Sequence, residues 1–157
     1  RLSLANNNPL FRSGPKRLRG DNQTPEGSYT IIKKRRNTGY KISLLIDYPN
    51  KKDIEWGKKN GYSKYELGDL ILIHGEKIRP TKKIIKYAAK LGIEEETIDD
   101  WAKNYFYPYF DWTNGCIAVN EFEMEEIFEY VEAGTKINIY PRKPLKPYTM
   151  RHYNFNL

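Results

Sequence analysis

The alternation of apolar and polar positions divides the chain into sheet-forming ends and a helical middle. GSYTIIKK and GYKISLLIDY are β-branched and aromatic runs, and RRNTG between them carries the turn signal Gly39, so the pattern predicts two strands. LILIHG, at Leu70–Gly75, is a short apolar run ending in histidine, as in a buried strand that delivers a polar residue at its end. TKINIYP predicts a closing strand, and Leu2 and Leu4 mark a short strand ahead of a long loop up to residue 27. The stretch Ile46–Asp69 reads as a Gly- and Lys-rich connection, and the tail Arg142–Leu157 shows no periodicity.

Helical spacing is concentrated between Pro80 and Ala133. RPTKKIIKYAAKLG sets Ile84, Ile85, Ala88 and Ala89 on one face, with Gly92 as its stop. EEETIDDWAKNYF places Ile98, Trp101, Ala102 and Tyr105 at i, i+3, i+4 and i+7, with acids in the first turn, where the helix dipole favours them. NEFEMEEIFEYVEAG has the strongest pattern. Asn120 and Glu123 form a capping-box pair, Met124, Ile127, Phe128 and Val131 form the stripe, and Gly134 ends it. The expected class is mostly β or α+β, not a βαβ alternation.

Composition narrows the setting. One domain spanning 1–157 is expected from length, with a wet surface (mean hydropathy −0.79). No apolar run approaches the ~18 residues of a membrane span. The net charge of +7 implies attraction to polyanions such as nucleic acid, anionic membrane or a carboxylate-rich cell wall. One cysteine rules out an internal disulfide and a thiolate zinc cluster, and no close ligand pair supports a His74/Cys116/His152 metal site. No metal and no cofactor are expected.

Cys116, in DWTNGC, is either a core filler or a nucleophile. Thiol catalysis needs a base, because the thiolate attacks and a free cysteine has a pKa near ~8.5. It also needs N–H donors aimed at the developing oxyanion. Asn114-Gly115-Cys116 suits such a turn, and His74 ends a strand with the Gly75 carbonyl beside it. Spacing alone leaves both readings open.

Six segments in order resemble the L,D-transpeptidase catalytic domain, the YkuD-type family. They are GPKRLRGDNQTPEGSYTI, LLIDYPN, the pair IHG and TNGCIA, NEFEMEEIFEYV and GTKINIYP. The resemblance runs from about Gly14 to Pro141 and implies an L,D-transpeptidase-like β-sandwich. It implies Cys116 as nucleophile, His74 as base, the Gly75 carbonyl as orienter, and the amides of Gly115 and Cys116 as oxyanion hole. Trp112, Thr113, Asn114, Tyr48 and Asn50 are the expected substrate-binding residues. Family enzymes attack the third residue of a peptidoglycan stem tetrapeptide and expel D-alanine. The thioester then passes to an amine, a wall-anchored lipoprotein lysine among them, or to water.

Two departures matter. Asn114 replaces the histidine that many members carry before Gly-Cys, as in a subgroup with Asp-Trp-Thr-x-Gly-Cys, so His74 must be the only base. The interval from His74 to Cys116 is longer than in compact members, and 79–105 reads as a helical insertion that either caps the cleft or decorates the packing. The family's N-terminal hairpin has no counterpart before Arg1.

The expectation is a cysteine acyltransferase of the bacterial cell envelope, periplasmic or in the wall, with stem peptides as partners and a part in cell-wall biogenesis and cell shape. The alternatives are an L,D-carboxypeptidase or L,D-endopeptidase and, in another class, a non-catalytic wall-binding module. KKRR (Lys33–Arg36) and PKRLR (Pro15–Arg19) lack interleaved aromatics, and no nucleic-acid partner is expected; KKRR reads as a solvated turn. YFYPYF reads as aromatic core in preference to a groove lining.

Overall fold

The computed structural model describes residues 14–36, 39–77, 80–107 and 112–141. The expected strand at Leu2 and Leu4, and the tail with His152, lie outside them.

Five strands form one sheet in the order β4-β3-β2-β1-β5. They are β1 (Gly27–Arg36), β2 (Ile42–Ile46), β3 (Leu72–His74), β4 (Ile117–Ala118) and β5 (Lys136–Ile139). The β1–β2, β2–β3 and β1–β5 pairs are antiparallel, and β3–β4 is parallel. Successive strand residues point to opposite faces, so the pairing Leu44↔Ile73↔Ile117 puts these three side chains on one face. There they join Ile31, Ile42, Ile46, Met124 and Phe128 in the main core.

The architecture is mixed α/β, and its helical share exceeds the expectation. Ile46–Asp69, read as a connection, holds α1 (Lys51–Lys59) and α2 (Lys64–Leu67). Both start on capping boxes. Asn50 Oδ1 accepts from the Asp53 amide at 3.3 Å while Asp53 Oδ2 accepts from the Asn50 amide at 3.0 Å. Ser63 and Glu66 reciprocate in the same way, at 3.4 and 2.9 Å. KKRR is also not a turn: β1 continues through Arg36, with Lys34 opposite Leu44 and Arg36 opposite Ile42. The continuation holds because Lys34 and Arg36 lay their cations over the Phe128 ring, at 4.8 and 4.6 Å from its centroid.

The helices after residue 80 follow the predicted spacing with two adjustments. In α3 (Lys82–Lys90) only Ile84 and Ala88 are buried, so the stripe is narrower than predicted. A 3₁₀ turn (Glu95–Thr97) leads into α4 (Ile98–Trp101), which passes into a π-helical turn over Ala102–Phe106, closed by Tyr107 N–H donating to the Ala102 carbonyl at 2.8 Å. The wider turn rotates Tyr105 out to solvent and brings Tyr107 in. Ile84, Ala102 and Tyr107, with Trp101, Phe106 and Trp112, make a second apolar cluster. Helix α5 (Glu121–Tyr130) begins on the predicted Asn120–Glu123 box and buries Met124 and Phe128.

Candidate active site

The residues between the main-core positions face the other side of the sheet. Ser43 pairs with His74, and His74 with Ala118. Continued back by two residues, the parallel register sets Cys116 beside Leu72, on the face of His74. By this continuation Cys116, immediately before β4, and His74, at the end of β3, fall on one face.

His74 is fully buried. Its Nδ1 is 2.6 Å from the Gly75 carbonyl oxygen. A carbonyl only accepts, so the neutral ring carries its proton on Nδ1 and leaves a lone pair on Nε2. Nε2 has no hydrogen-bond partner among the described residues. Burial pushes the imidazole pKa down to about 4; the Gly75 hydrogen bond opposes the shift and the Lys77 charge adds to it. Tyr40 stacks on the ring with centroids 3.6 Å apart and planes at 16°, and Trp112 packs at 5.5 Å. A Cβ at Gly75 would meet the carboxylate of Glu121 at the start of α5, the far end of a side chain that has to swing aside to admit it.

Cys116 is half-buried, with Sγ 3.7 Å from the Leu70 carbonyl oxygen. Leu70 itself is a non-glycine residue at φ +56, a strained conformation just ahead of the histidine strand. Burial pushes the thiol pKa up, while the Leu72 amide, Lys16 and Lys77 pull it down. The resting pair is thus a neutral thiol and a neutral imidazole. Gly115 sits at φ +127, and a Cβ there would come 2.7 Å from the Gln23 carbonyl oxygen, so the turn before the thiol demands glycine twice over. Thr113 braces it by donating its hydroxyl to the Cys116 carbonyl at 2.7 Å.

Of the expected substrate-binding residues, Trp112 and Thr113 lie at this site and Asn114 is exposed in the same loop. Tyr48 and Asn50 are held elsewhere. Tyr48 is in the main core and donates to the Leu67 carbonyl at 3.0 Å, and Asn50 is occupied as the cap of α1 and by the Ser28 carbonyl. Tyr40 and Leu70 are not legible as site residues, because Tyr40 lies in a strand-forming run and Leu70 reads only as the first apolar position of LILIHG. A concavity of about 440 Å³ beside Gly75 is lined by Lys41, Glu76, Lys77, Lys103 and Glu121. A larger one, about 640 Å³, lies between β1 and α5, with Lys34, Arg36 and Phe128 in its wall, on the opposite face. Among the described residues no three His, Cys, Asp or Glu side chains gather as a metal centre, and no helix is long and apolar enough to cross a membrane.

Residues 5–139 match the family model YkuD, the L,D-transpeptidase catalytic domain. No curated protein matches significantly. Among solved structures, the chain is similar to the helical cell shape determining protein Pgp2 from Campylobacter jejuni, at 20% identity and a TM-score of 0.53, over 90% of this chain and 38% of that one. The K307A mutant of Pgp2 gives 20% identity and a TM-score of 0.54, over 90% and 37%. The chain thus spans well under half of the structures it resembles, and the likeness is one of fold.

Proposed function

Because the chain belongs to the YkuD family of L,D-transpeptidase catalytic domains, we propose that it is a cysteine acyltransferase acting on peptidoglycan stem peptides. The observation that carries this reading is the shared face of Cys116 and His74, with Nδ1 held by the Gly75 carbonyl and Nε2 left as the acceptor.

In the proposed reaction the Cys116 S–H proton passes to His74 Nε2 as sulfur attacks the carbonyl of the third stem residue. A thiol pKa pushed up and an imidazole pKa near 4 disfavour a resting ion pair, so proton transfer accompanies attack. The amides of Gly115 and Cys116 receive the oxyanion. The imidazolium then protonates the departing D-alanine amine, leaving a thioester on Cys116. An acceptor amine attacks that thioester, Nε2 takes its proton, and the thiol is regenerated. Tyr40 and Trp112 hold the ring, and Trp112 and Asn114 border the bound peptide.

The same proposal treats 1–157 as one L,D-transpeptidase-like sandwich domain of the Asp-Trp-Thr-x-Gly-Cys subgroup, with 79–105 as an insertion covering the cleft. Its support is a chain of ring contacts, Trp101–Phe106 at 5.9 Å, Phe106–Tyr107 at 5.9 Å and Tyr107–Trp112 at 4.8 Å, that ends on His74. The implied setting is the bacterial cell envelope, with a part in cell shape. The non-catalytic wall-binding reading draws on one observation, the neutral, desolvated thiol.

Mass spectrometry of tetrapeptide muropeptides incubated with the protein and with Cys116→Ala is the test. Cross-linked dimers made only by the wild type establish the transpeptidase, and tripeptides alone establish the carboxypeptidase. No product from tetrapeptides or from lipoprotein-linked wall, together with a thiol as unreactive as a buried structural cysteine, would establish the binding module. Cys116→Ala should lose all turnover and keep the wild-type melting curve.

A further inference from the structure

The register of β1 carries one more consequence. Ile31 pairs with Ile46, but Lys33 pairs with Leu45, so one extra residue is inserted in β1. Because a one-residue slip turns every later side chain to the other face, the insertion decides which way the KKRR segment points. Without it Lys33 and Arg35 would oppose Leu44 and Ile42 and point into the main core. With it they oppose Leu45 and Ser43. Lys34 and Arg36, on the opposite face, lie over Phe128 of α5, which fixes the assignment independently.

Arg35 therefore stands in one cross-strand row with Ser43, His74 and Ala118. Lys33 stands in the next, with Leu45, Leu72 and, by continuation, Cys116. Arg35 is half-buried, yet among the described residues its guanidinium has no ion pair, hydrogen bond or ring contact. Ser43, between Arg35 and His74, is fully buried, and its hydroxyl has no partner among those residues.

We infer that Arg35 is a carboxylate-binding residue on the catalytic face, receiving an anionic group of the peptide whose carbonyl Cys116 attacks. This rests on the function proposed above and names a contact within it. Arg35 and Cys116 are three strand spacings and one row apart, about 16 Å between backbones, the length of about five extended residues. The bound carboxylate thus belongs to a residue within about five positions of the attacked carbonyl. A guanidinium suits the task because its planar fork matches a carboxylate with two parallel hydrogen bonds.

The competing explanation is that cations on β1 only guard an edge. β5 covers Gly27–Thr30 and leaves the Lys33–Arg36 half of the strand open, where charge deters pairing with another chain. That accounts for exposed Lys33. It does not account for Arg35, a half-buried arginine in the row of Ser43 and His74 with no partner among the described residues.

The test uses the full chain carrying Cys116→Ala, so that binding is measured without turnover. A muramyl tetrapeptide with free carboxylates, and the same peptide with its carboxylates amidated, are titrated by calorimetry. Arg35→Gln should weaken binding of the free-carboxylate peptide about tenfold or more and leave the amidated peptide within twofold. Arg35→Lys should recover part of the loss. Equal weakening for both peptides, no weakening, or no binding of either peptide would overturn the assignment. Loss of turnover by the wild type with the carboxylate preference intact would instead overturn the enzymatic reading and leave Arg35 as a binding residue.

Discussion

On one face of the sheet Ile42, Leu44, Ile46, Ile73 and Ile117 close against Met124 and Phe128, an apolar layer throughout. On the other, Ser43 and His74 are buried as deeply, and Tyr107 nearly so, yet Ser43 Oγ, His74 Nε2 and the Tyr107 hydroxyl have no hydrogen-bond partner among the described residues. Each such group costs about 1–3 kcal/mol relative to a satisfied one. A face built only for packing would carry leucine or valine there. The same strands thus stabilise the fold with one set of alternate residues and, with the other, bury Ser43 and His74, whose Oγ and Nε2 have no partner among the described residues.

Substitutions on the two faces should therefore fail in different ways. His74→Ala should lower turnover about 10³-fold at neutral pH, the scale of a lost general base, and by less at high pH, where thiolate forms unaided. A pH–rate profile of the variant checks this; equal loss at every pH would make His74 a positioning residue. Leu44→Ala, one strand away and facing inward, should cost about 2–5 kcal/mol in denaturant unfolding while sparing the chemistry of whatever fraction stays folded.

The polar face should also make stability depend on pH. The His74 pKa is about 4 when folded against an ordinary value near 6.5. Between those values the unfolded chain binds a proton that the folded chain refuses, so stability is full above pH 6.5 and falls as pH drops toward 4. The expected loss is on the order of 3 kcal/mol. Comparing denaturant midpoints of the wild type and His74→Asn at pH 7 and pH 4 isolates it, since carboxylate titration is common to both. The smallest effect belongs to the solvent-facing ion pairs. Glu132→Gln breaks the 2.9 Å contact with Lys34 and should shift stability by less than about 1 kcal/mol. A larger shift would mean that this edge of the main core depends on charge.

How much of this was legible depended on whether a signal was local. The Asn120–Glu123 cap was read correctly because a clear apolar stripe follows it. The same device at Asn50–Asp53 and Ser63–Glu66 is harder to read, because α1 and α2 are short and lysine-rich and bury only Gly57 and Leu67. β4 has only two residues, too few for any period to show. The His74 and Cys116 motifs stood out in the sequence, as did the glycines beside them. Tyr40 did not, since its stack on His74 depends on a bridge between Tyr40 and Lys77 that no local pattern announces. The facing of Lys33 and Arg35 was equally hidden, because it hangs on one inserted residue defined only by the partner strand.

The parallel pairing of β3 and β4 also governs when the site can exist. β1, β2 and β3 follow one another as an antiparallel meander, so the imidazole is installed by contacts between neighbouring parts of the chain. β4 can align with β3 only after the whole excursion from Gly75 to Gly115 has closed. Lengthening such a loop changes the equilibrium little, about 0.6 kcal/mol per doubling, but distant pairings are the slow ones to form. During synthesis, then, Cys116 emerges and docks late, and the nascent chain carries His74 for many residues before the segment that faces it arrives.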